Sequence, residues 1–543
     1  MSDLKLPLKF IDFIFNLYTG RTISLHIPGF EDKIRKVWKG IPQGSVLSPL
    51  LYDIYTFDLH LSVDPSCSIL QYADDVLVYS ANRDIKIAAE TLNDSLNKLS
   101  SWLSAQNLSL SKSKSLIVVF TRKRKVPTVN IFVDGERIPV VKEAKFLGRI
   151  FDSSMNGNAH INDIVRKCEK NINIMRAVSG VWWGSHPGVL RLMYNALVRS
   201  ILDFGSITFC LENKQPLHKL DLLQHKSLRI VIGAMNSTPI NALQIECSEP
   251  PISLRRQYLS DRFIFKIQQY HGHPLILKLQ NLCEVINGRN AFWRNRKIPY
   301  LVSSYRRFLE LRCSIHKFQC HSTFSYDYET LMFVPDIKLS IDIQKGSSSA
   351  NSKLASFIKN LEPKSEDFYT DASKSVSSDE KSVGAAFLRL SSGHFRLYKY
   401  PHLSSNFVGE GMAVLECVKY IICNKIENSY IFSDSLSFLQ SLLSNPFKKK
   451  PPCPLSLEVK LKLKECHDSN LRVTLAWIPG HSGIQGNELV DYLAAMAARQ
   501  GNTYIDKVYT QDLLEKPREY LLKDWNSDLF IKRWTISSSS YQN

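Results

Sequence analysis

The chain has 543 residues, 44% of them hydrophobic, which is too long for one core and too apolar for global disorder. Its formal net charge is +18, and residues 1–361 hold 47 Lys/Arg against 30 Asp/Glu, so nearly all the excess lies upstream of the last third. A basic surplus on that scale fits a polyanion such as nucleic acid, because phosphate binding is driven by counterion release.

Eleven cysteines without a CxxC pair argue for reduced, intracellular thiols rather than a disulfide framework. No run reaches the ~20 apolar residues that span a bilayer. The apolar start, Leu6 to Tyr18, is broken by Lys9 and Asp12 and reads as an amphipathic helix, so no membrane partner is expected.

Residues 1–155 mix strands and helices. Gly40-Ile41-Pro42-Gln43-Gly44 is a tight turn leading into a helix. Leu70 to Tyr79 reads as strand, turn, strand, with Asp74 and Asp75 at the tip. Leu92, Leu96, Leu99 and Leu103 have helical spacing, and Leu116 to Phe120 is a short apolar strand. Residues 156–344 read as mostly helical. Cys313, His316, Cys320 and His321 cluster there, but their spacing does not fit a usual zinc ligand set.

Lys345-Gly-Ser-Ser-Ser-Ala-Asn-Ser352 reads as a Gly/Ser-rich linker, extending over 345–361. The pattern beyond it, over 362–500, is three strands in succession and then helices alternating with strands. Strands are expected to end near Asp371, at 383–390 and 394–400, near Asp434, and at 471–478. Helices are expected at 406–423, near 435–443, at 455–468 and at 488–499. This predicts an α/β domain with a mixed five-stranded sheet and helices packed on it. Residues 501–543 form a tail whose Trp525 and Trp534 are expected to cap a core.

Four acids of this last domain are candidates to converge: Asp371 and Asp434 at strand ends, Glu410 and Asp491 early in helices. Clustered carboxylates repel unless a cation sits among them, and hard divalent ions prefer such oxygens. Taken singly, each acid reads equally well as a turn former or a partner of the helix dipole.

The wording around these acids narrows the choice. Thr370-Asp371-Ala372-Ser373, Glu410, Ser433-Asp434-Ser435 and the run Trp477-Ile478-Pro479-Gly480-His481-Ser482-Gly483 through Asp491 together resemble the ribonuclease H family. The resemblance implies hydrolysis of the RNA strand of an RNA–DNA hybrid. It implies Asp371, Glu410, Asp434 and Asp491 as ligands of two Mg²⁺ ions, with Mn²⁺ as an alternative, and His481 as an aid to proton transfer or product release. Two departures stand out: Ala372, where the family often has glycine, and the pair Gly409 and Gly411 around Glu410. Helical glycines cost about 1 kcal/mol each against alanine, so a looser Glu410 and reduced activity are expected.

Upstream, the Gly40–Gly44 turn, Tyr72-Ala73-Asp74-Asp75, Lys114-Ser115 and Phe146-Leu147-Gly148 with Asp152 together resemble reverse transcriptases of jockey-like non-LTR retrotransposons. The resemblance implies a partial palm over 1–155 and a helical thumb or connection over 156–344. It implies metal binding by Asp74 and Asp75, template or nucleotide contact by Pro42, Gln43 and Gly44, and phosphate contact by Lys114. RNA and DNA are the implied partners, and the implied compartment is intracellular, nucleus or cytoplasm, with the resemblance favouring the nucleus. A further catalytic aspartate expected upstream of Gly40 is missing, since Asp3, Asp12, Glu31 and Asp32 do not end an apolar strand. An N-terminally truncated polymerase carrying a working ribonuclease is therefore expected. A complete polymerase with further upstream sequence and a catalytically dead nucleic-acid-binding remnant remain open.

Overall fold

The computed structural model describes all residues except 1–7, 122–127, 181, 209–213, 289–291, 294–295, 319–325, 342, 344–348, 360–364, 376–381, 446, 448–452, 502, 505–506 and 540–543. The chain divides into two units, Met1–Asn162 and Asp163–Asn543. Among the described residues no helix is long and apolar enough to cross a membrane.

In the first unit, β1 (Cys67–Tyr72) and β2 (Asp75–Ser80) pair antiparallel, with Tyr72 opposite Asp75. The two-residue turn is Ala73-Asp74, and Ala73 takes a left-handed φ of 50°. Helix α1 (Ile85–Ala105) is capped by Asp84, which accepts from the Lys86 amide, and buries Leu99. The predicted strand 116–120 is reduced to Ile117–Val118, and Leu116 and Phe120 stay exposed.

The second unit begins as helices, including α2 (Lys214–Ile232) and α3 (Ile252–Ile267). Its sheet comprises β3 (Ile337–Lys338), β4 (Glu366–Lys374), β5 (Ser382–Arg389), β6 (His394–Pro401), β7 (Asn428–Ser433), β8 (Arg472–Trp477) and β9 (Thr503–Tyr504) in the order β3-β8-β7-β4-β5-β6-β9. The hairpins β4–β5 and β5–β6 are antiparallel, and β4–β7 and β7–β8 are parallel, giving the expected mixed sheet. Two short strands from outside 362–500 extend its five strands to seven. They cover edges that would otherwise present unpaired backbone groups.

The sheet is buried on both faces. One face packs on α5 (Asn406–Asn424), α6 (Leu436–Leu443) and α7 (Pro454–Asp468) through Phe368, Phe387, Val414, Phe438 and Leu455. The other packs on α8 (Gln485–Gln500) through Tyr369, Ala386, Val490 and Ala494. This second core also takes Ala350 and Leu354 from α4 (Ala350–Lys359), with Phe357 and Ile358 beside them. The described end of the expected linker is thus an amphipathic helix docked on the sheet. Its apolar residues recur at helical spacing just past the Gly/Ser run, and burying them outweighs the flexible composition before them.

Cys320 and His321 lie outside the described residues. Burial pushes the Cys313 thiol up, and the His316 ring stacks on Tyr509 at 4.1 Å between centroids, so both take packing roles. Trp525 is half-buried, and the Trp534 side chain lies outside the described residues.

The contact of α8 with the sheet runs through small residues. A Cβ on Gly384 would lie 2.2 Å from the Ala494 carbonyl oxygen and the Ala498 amide, and one on Gly486 would lie 2.4 Å from the Tyr369 ring. Gly384→Ala must therefore lift backbone off backbone. It is expected to cost about 1–3 kcal/mol of stability, read as a lower urea midpoint for the full-length protein at an unchanged slope.

Candidate metal centre

Sheet register assembles the site. β4 and β7 run parallel with Thr370 opposite Ser433, so the next residues, Asp371 and Asp434, stand side by side. The sequence pattern places Asp371 at a strand end. In the structure β4 continues to Lys374 because its pairing with β5 goes on, while pairing with β7 stops at Thr370. Asp371 faces Ala386 on the α8 side, where Asp491 projects from the second turn of that helix.

Carboxylate oxygens of Asp371, Asp434 and Asp491 all lie within 4.8 Å of one another. Asp371 is 9% exposed, and Asp434 and Asp491 are half-buried. Glu410 comes from α5, on the opposite face of the sheet. It lies outside that close trio but near enough for its charge to act on Asp371, with its carboxyl beside Asp434 and the Ser435 hydroxyl.

The electrostatics follow from this crowding. Burial first, then Asp434 and Asp491, raise the Asp371 pKa far above the ordinary carboxylate range. Asp491 is raised by burial and Asp434, against a lowering by His481. Glu410 is pushed up to about 7 by burial, with Asp434 adding to it and Ser435 opposing it. Three carboxylates within 4.8 Å, with Glu410 beside them, repel one another when ionised in a half-dry pocket, and a cation among them would offset that repulsion.

The donor set suits a hard divalent ion. It is all oxygen, and Asp491 Oδ2 is buried without a hydrogen-bond donor among the described residues. His481 Nδ1 stands 3.5 Å from that oxygen on a loop where His481 has a φ of 51°, its side chain 83% exposed. His481, Glu488 and Asp491 form a second group of possible ligands at the open side.

Supporting residues without an assigned role in the sequence reading also emerge. Asn487, 1% exposed, donates to Asp491 Oδ1 at 3.3 Å from one helical turn away, an i, i+4 relation readable in the sequence. Gly480 is needed by contact: a Cβ there would lie 2.5 Å from Asp434 Oδ2. The Trp477 indole donates to the Asp434 carbonyl at 3.1 Å.

The glycines flanking Glu410 are packing residues rather than loose points. A Cβ on Gly409 would meet Ala372 Cβ at 2.7 Å, and one on Gly411 would meet the Phe438 ring at 2.4 Å. The methyl group at Ala372 and the missing one at Gly409 thus compensate across a single contact. The expected loosening of Glu410 is countered by burial of both glycines.

The upstream candidates do not form a comparable centre. Asp74 and Asp75 sit together at the exposed tip of the β1–β2 hairpin. Among the described residues no third His, Cys, Asp or Glu joins them at ligand distance. Gly44 has a φ of 86°, and the Ser48 hydroxyl donates to the Pro42 carbonyl at 2.7 Å, which fixes the turn before the helix Ser48–Tyr55. Gln43 and Lys114 are exposed. Asp152 takes a turn-forming role, accepting from Ser154 and from the Asn156 and Gly157 amides.

Residues 363–499 match the RNase H family, and residues 5–151 match the reverse transcriptase (RNA-dependent DNA polymerase) family. The RNA-directed DNA polymerase from mobile element jockey of Drosophila funebris is 28% identical over 282 residues, 49% of this chain and 29% of that protein. The probable RNA-directed DNA polymerase from transposon X-element of Drosophila melanogaster is 25% identical over 236 residues, 42% of this chain and 25% of that one. The chain thus spans little more than a quarter of the length of these relatives. Among solved structures, a type 1 RNase H with the type 2 active-site motif is 18% identical with a TM-score of 0.21, covering 26% of this chain and 77% of that one. Residues 5–151 are thus a reverse transcriptase family segment and residues 363–499 an RNase H family domain, and the RNase H family works with divalent metal ions.

These raised pKa values make stability depend on pH and metal. A carboxyl raised in the folded state binds more protons folded than unfolded, so metal-free stability falls as pH climbs from about 4.5 through the raised value near 7 for Glu410. Mg²⁺ is expected to restore it at pH 8. Asp434→Asn removes the charge common to its neighbours' shifts. It should raise the metal-free melting temperature at pH 8 by about 2–4 °C and abolish the Mg²⁺ effect, both measurable by scanning calorimetry.

Proposed function

We propose that the RNase H domain hydrolyses the RNA strand of an RNA–DNA hybrid at the site of Asp371, Glu410, Asp434 and Asp491, with two Mg²⁺ ions. The observation that carries this reading is the convergence of three carboxylates within 4.8 Å, in a pocket that raises the pKa values of Asp371 and Asp491. Such ions, when bound, would activate a water and stabilise the leaving oxygen of a phosphodiester.

The protein's own groups divide the remaining work. Asp371 and Asp434, fixed on adjacent parallel strands, form the rigid floor. Asp491 is held from one side by Asn487 and faces His481 on the other. The exposed His481 ring is placed to take a proton from the site and release it to solvent. Glu410 closes the site from the far face of the sheet. RNA is told from DNA by its 2′-hydroxyls and groove shape.

For the upstream segment we propose a nucleic-acid-holding role, with Asp74 and Asp75 as an incomplete polymerase metal site and with Pro42, Gln43, Gly44 and Lys114 towards template or nucleotide. Two acids at an exposed hairpin tip, with no third ligand among the described residues, favour this over polymerisation by the chain alone.

Incubation with an end-labelled hybrid and Mg²⁺ should give cuts in the RNA strand only, and Asp434→Asn should lower the rate by at least about 100-fold. Equal rates for wild type and variant would leave the site without this role. In a primer-extension assay the purified chain should add no more nucleotides than its Asp74→Asn variant, and robust Mg²⁺-dependent synthesis would refute the incomplete-site reading.

A further inference from the structure

The RNase H family match ends at residue 499, yet the tail beyond it is built into the cores of the second unit. Lys507 and Val508 pair in parallel with Ser314 and Ile315. Val508 and Leu513 are buried in a core with Ile264 and Phe265 of α3, while Tyr509 packs into a core of the sheet. The Thr510 hydroxyl donates to Gln269 Oε1 at 3.1 Å. Burial thus fixes residues 507–513 on two sides, and their single acid is Asp512, in the short helix Thr510–Leu513.

Asp512 meets the start of α5, the helix that carries Glu410. Ser405 caps that helix, its Oγ accepting from the Val408 amide at 3.3 Å. A serine cap is held best when the third helical residue is Glu or Gln, whose side chain reaches back to the cap's own amide. Here that residue is Val408, buried and with no acceptor to offer. Asp512 takes that part from 107 residues away. Its Oδ1 accepts from the Ser405 hydroxyl at 2.7 Å, and the Ser405 amide also acts on the carboxyl as a donor. A negative charge there suits the positive end of the helix dipole.

The same corner holds the strand that carries Asp371. Lys374, three residues past Asp371 on β4, donates to the Ser404 carbonyl at 3.3 Å, and its charge acts on Asp512. The strand of Asp371 and the helix of Glu410 are therefore joined at one point, and the tail supplies the acid there. Stability alone does not account for that acid. Asp512 Oδ2 is buried without a donor among the described residues, and burial pushes the carboxyl up to about 6 against the lowering by Ser405 and Lys374. A half-satisfied buried carboxylate costs more than a neutral acceptor would. We propose that Asp512 is a positioning residue of the ribonuclease site: by holding the Ser405 cap it fixes the first turns of α5 and with them the placement of Glu410. Such a site tolerates misplacement of only about 0.5 Å, so a frayed first turn would carry Glu410 out of range. The proposal rests on the reading that this site cuts hybrids, and it makes the tail a working part of that site.

The test uses the full-length protein with Asp512→Ala, Ser405→Ala and the double variant. Thr510→Val is the control, since it loosens the same segment away from Ser405. Two quantities are read: kcat and KM for cleavage of a labelled hybrid with Mg²⁺, and amide hydrogen exchange over residues 406–412. Asp512→Ala is expected to lower kcat about tenfold with KM unchanged, and to speed exchange over 406–412. Ser405→Ala should do the same. The double variant should stay within about twofold of the slower single variant, because either removal already breaks the contact. Thr510→Val should change neither quantity. Should Asp512→Ala fail to fold, Asp512→Asn, which keeps an acceptor oxygen without the charge, takes its place with an expected loss of about threefold. Losses that multiply in the double variant, an unchanged kcat, unchanged exchange over 406–412, or an equal loss in Thr510→Val would each overturn the proposal. If the wild type cuts no hybrid, the nuclease reading fails, and exchange over 406–412 alone decides whether Asp512 holds the helix.

Discussion

Repulsion among buried carboxylates governs the ribonuclease-like half of this protein. Asp371, Asp434 and Asp491 sit closer than their charges favour, in a pocket that water screens poorly. A sheet can hold them there only if it is rigid. Three parallel and antiparallel strand pairings meet at β4 and β7, and both faces are sealed by helices, so the acids cannot relax apart without breaking ladders or opening a core.

The close packing around the site reads as a response to the same constraint. Gly384 and Gly486 let α8 approach the sheet within backbone contact, which sets the height of Asp491. Gly409 does the same for α5 against Ala372, and Gly480 leaves room for the Asp434 carboxylate. Each glycine sacrifices local propensity for proximity at a point where one methyl group would displace a ligand. Because the acids come from both faces of the sheet, the site also reports on the integrity of both cores.

The two halves of the chain differ in how complete their sites are. The RNase H domain has its acids, their supports and an exposed histidine within one compact unit. The reverse transcriptase segment offers two acids on a hairpin whose Leu70, Tyr72, Val76 and Tyr79 are exposed. Its turn chemistry is nonetheless well formed. Leu147 and Gly148, both at positive φ, close the Phe146–Arg149 hairpin, as a two-residue connection requires.

The sequence by itself determined the element order beyond residue 362, because period-2 and period-3.6 apolar patterns alternate there and turn residues punctuate them. It also singled out the four acids, since their neighbouring residues are distinctive even though each acid alone is an ordinary turn or helix-start residue. What it did not carry were contacts between segments distant in the chain. The docking of Ala350–Lys359 and the two added edge strands depend on which sheet surfaces are left uncovered. That Asp371 lies inside its strand depends on one ladder outlasting another. The Gly409–Ala372 exchange became visible only with tertiary structure, because volume is a property of neighbours in space, not of neighbours in sequence.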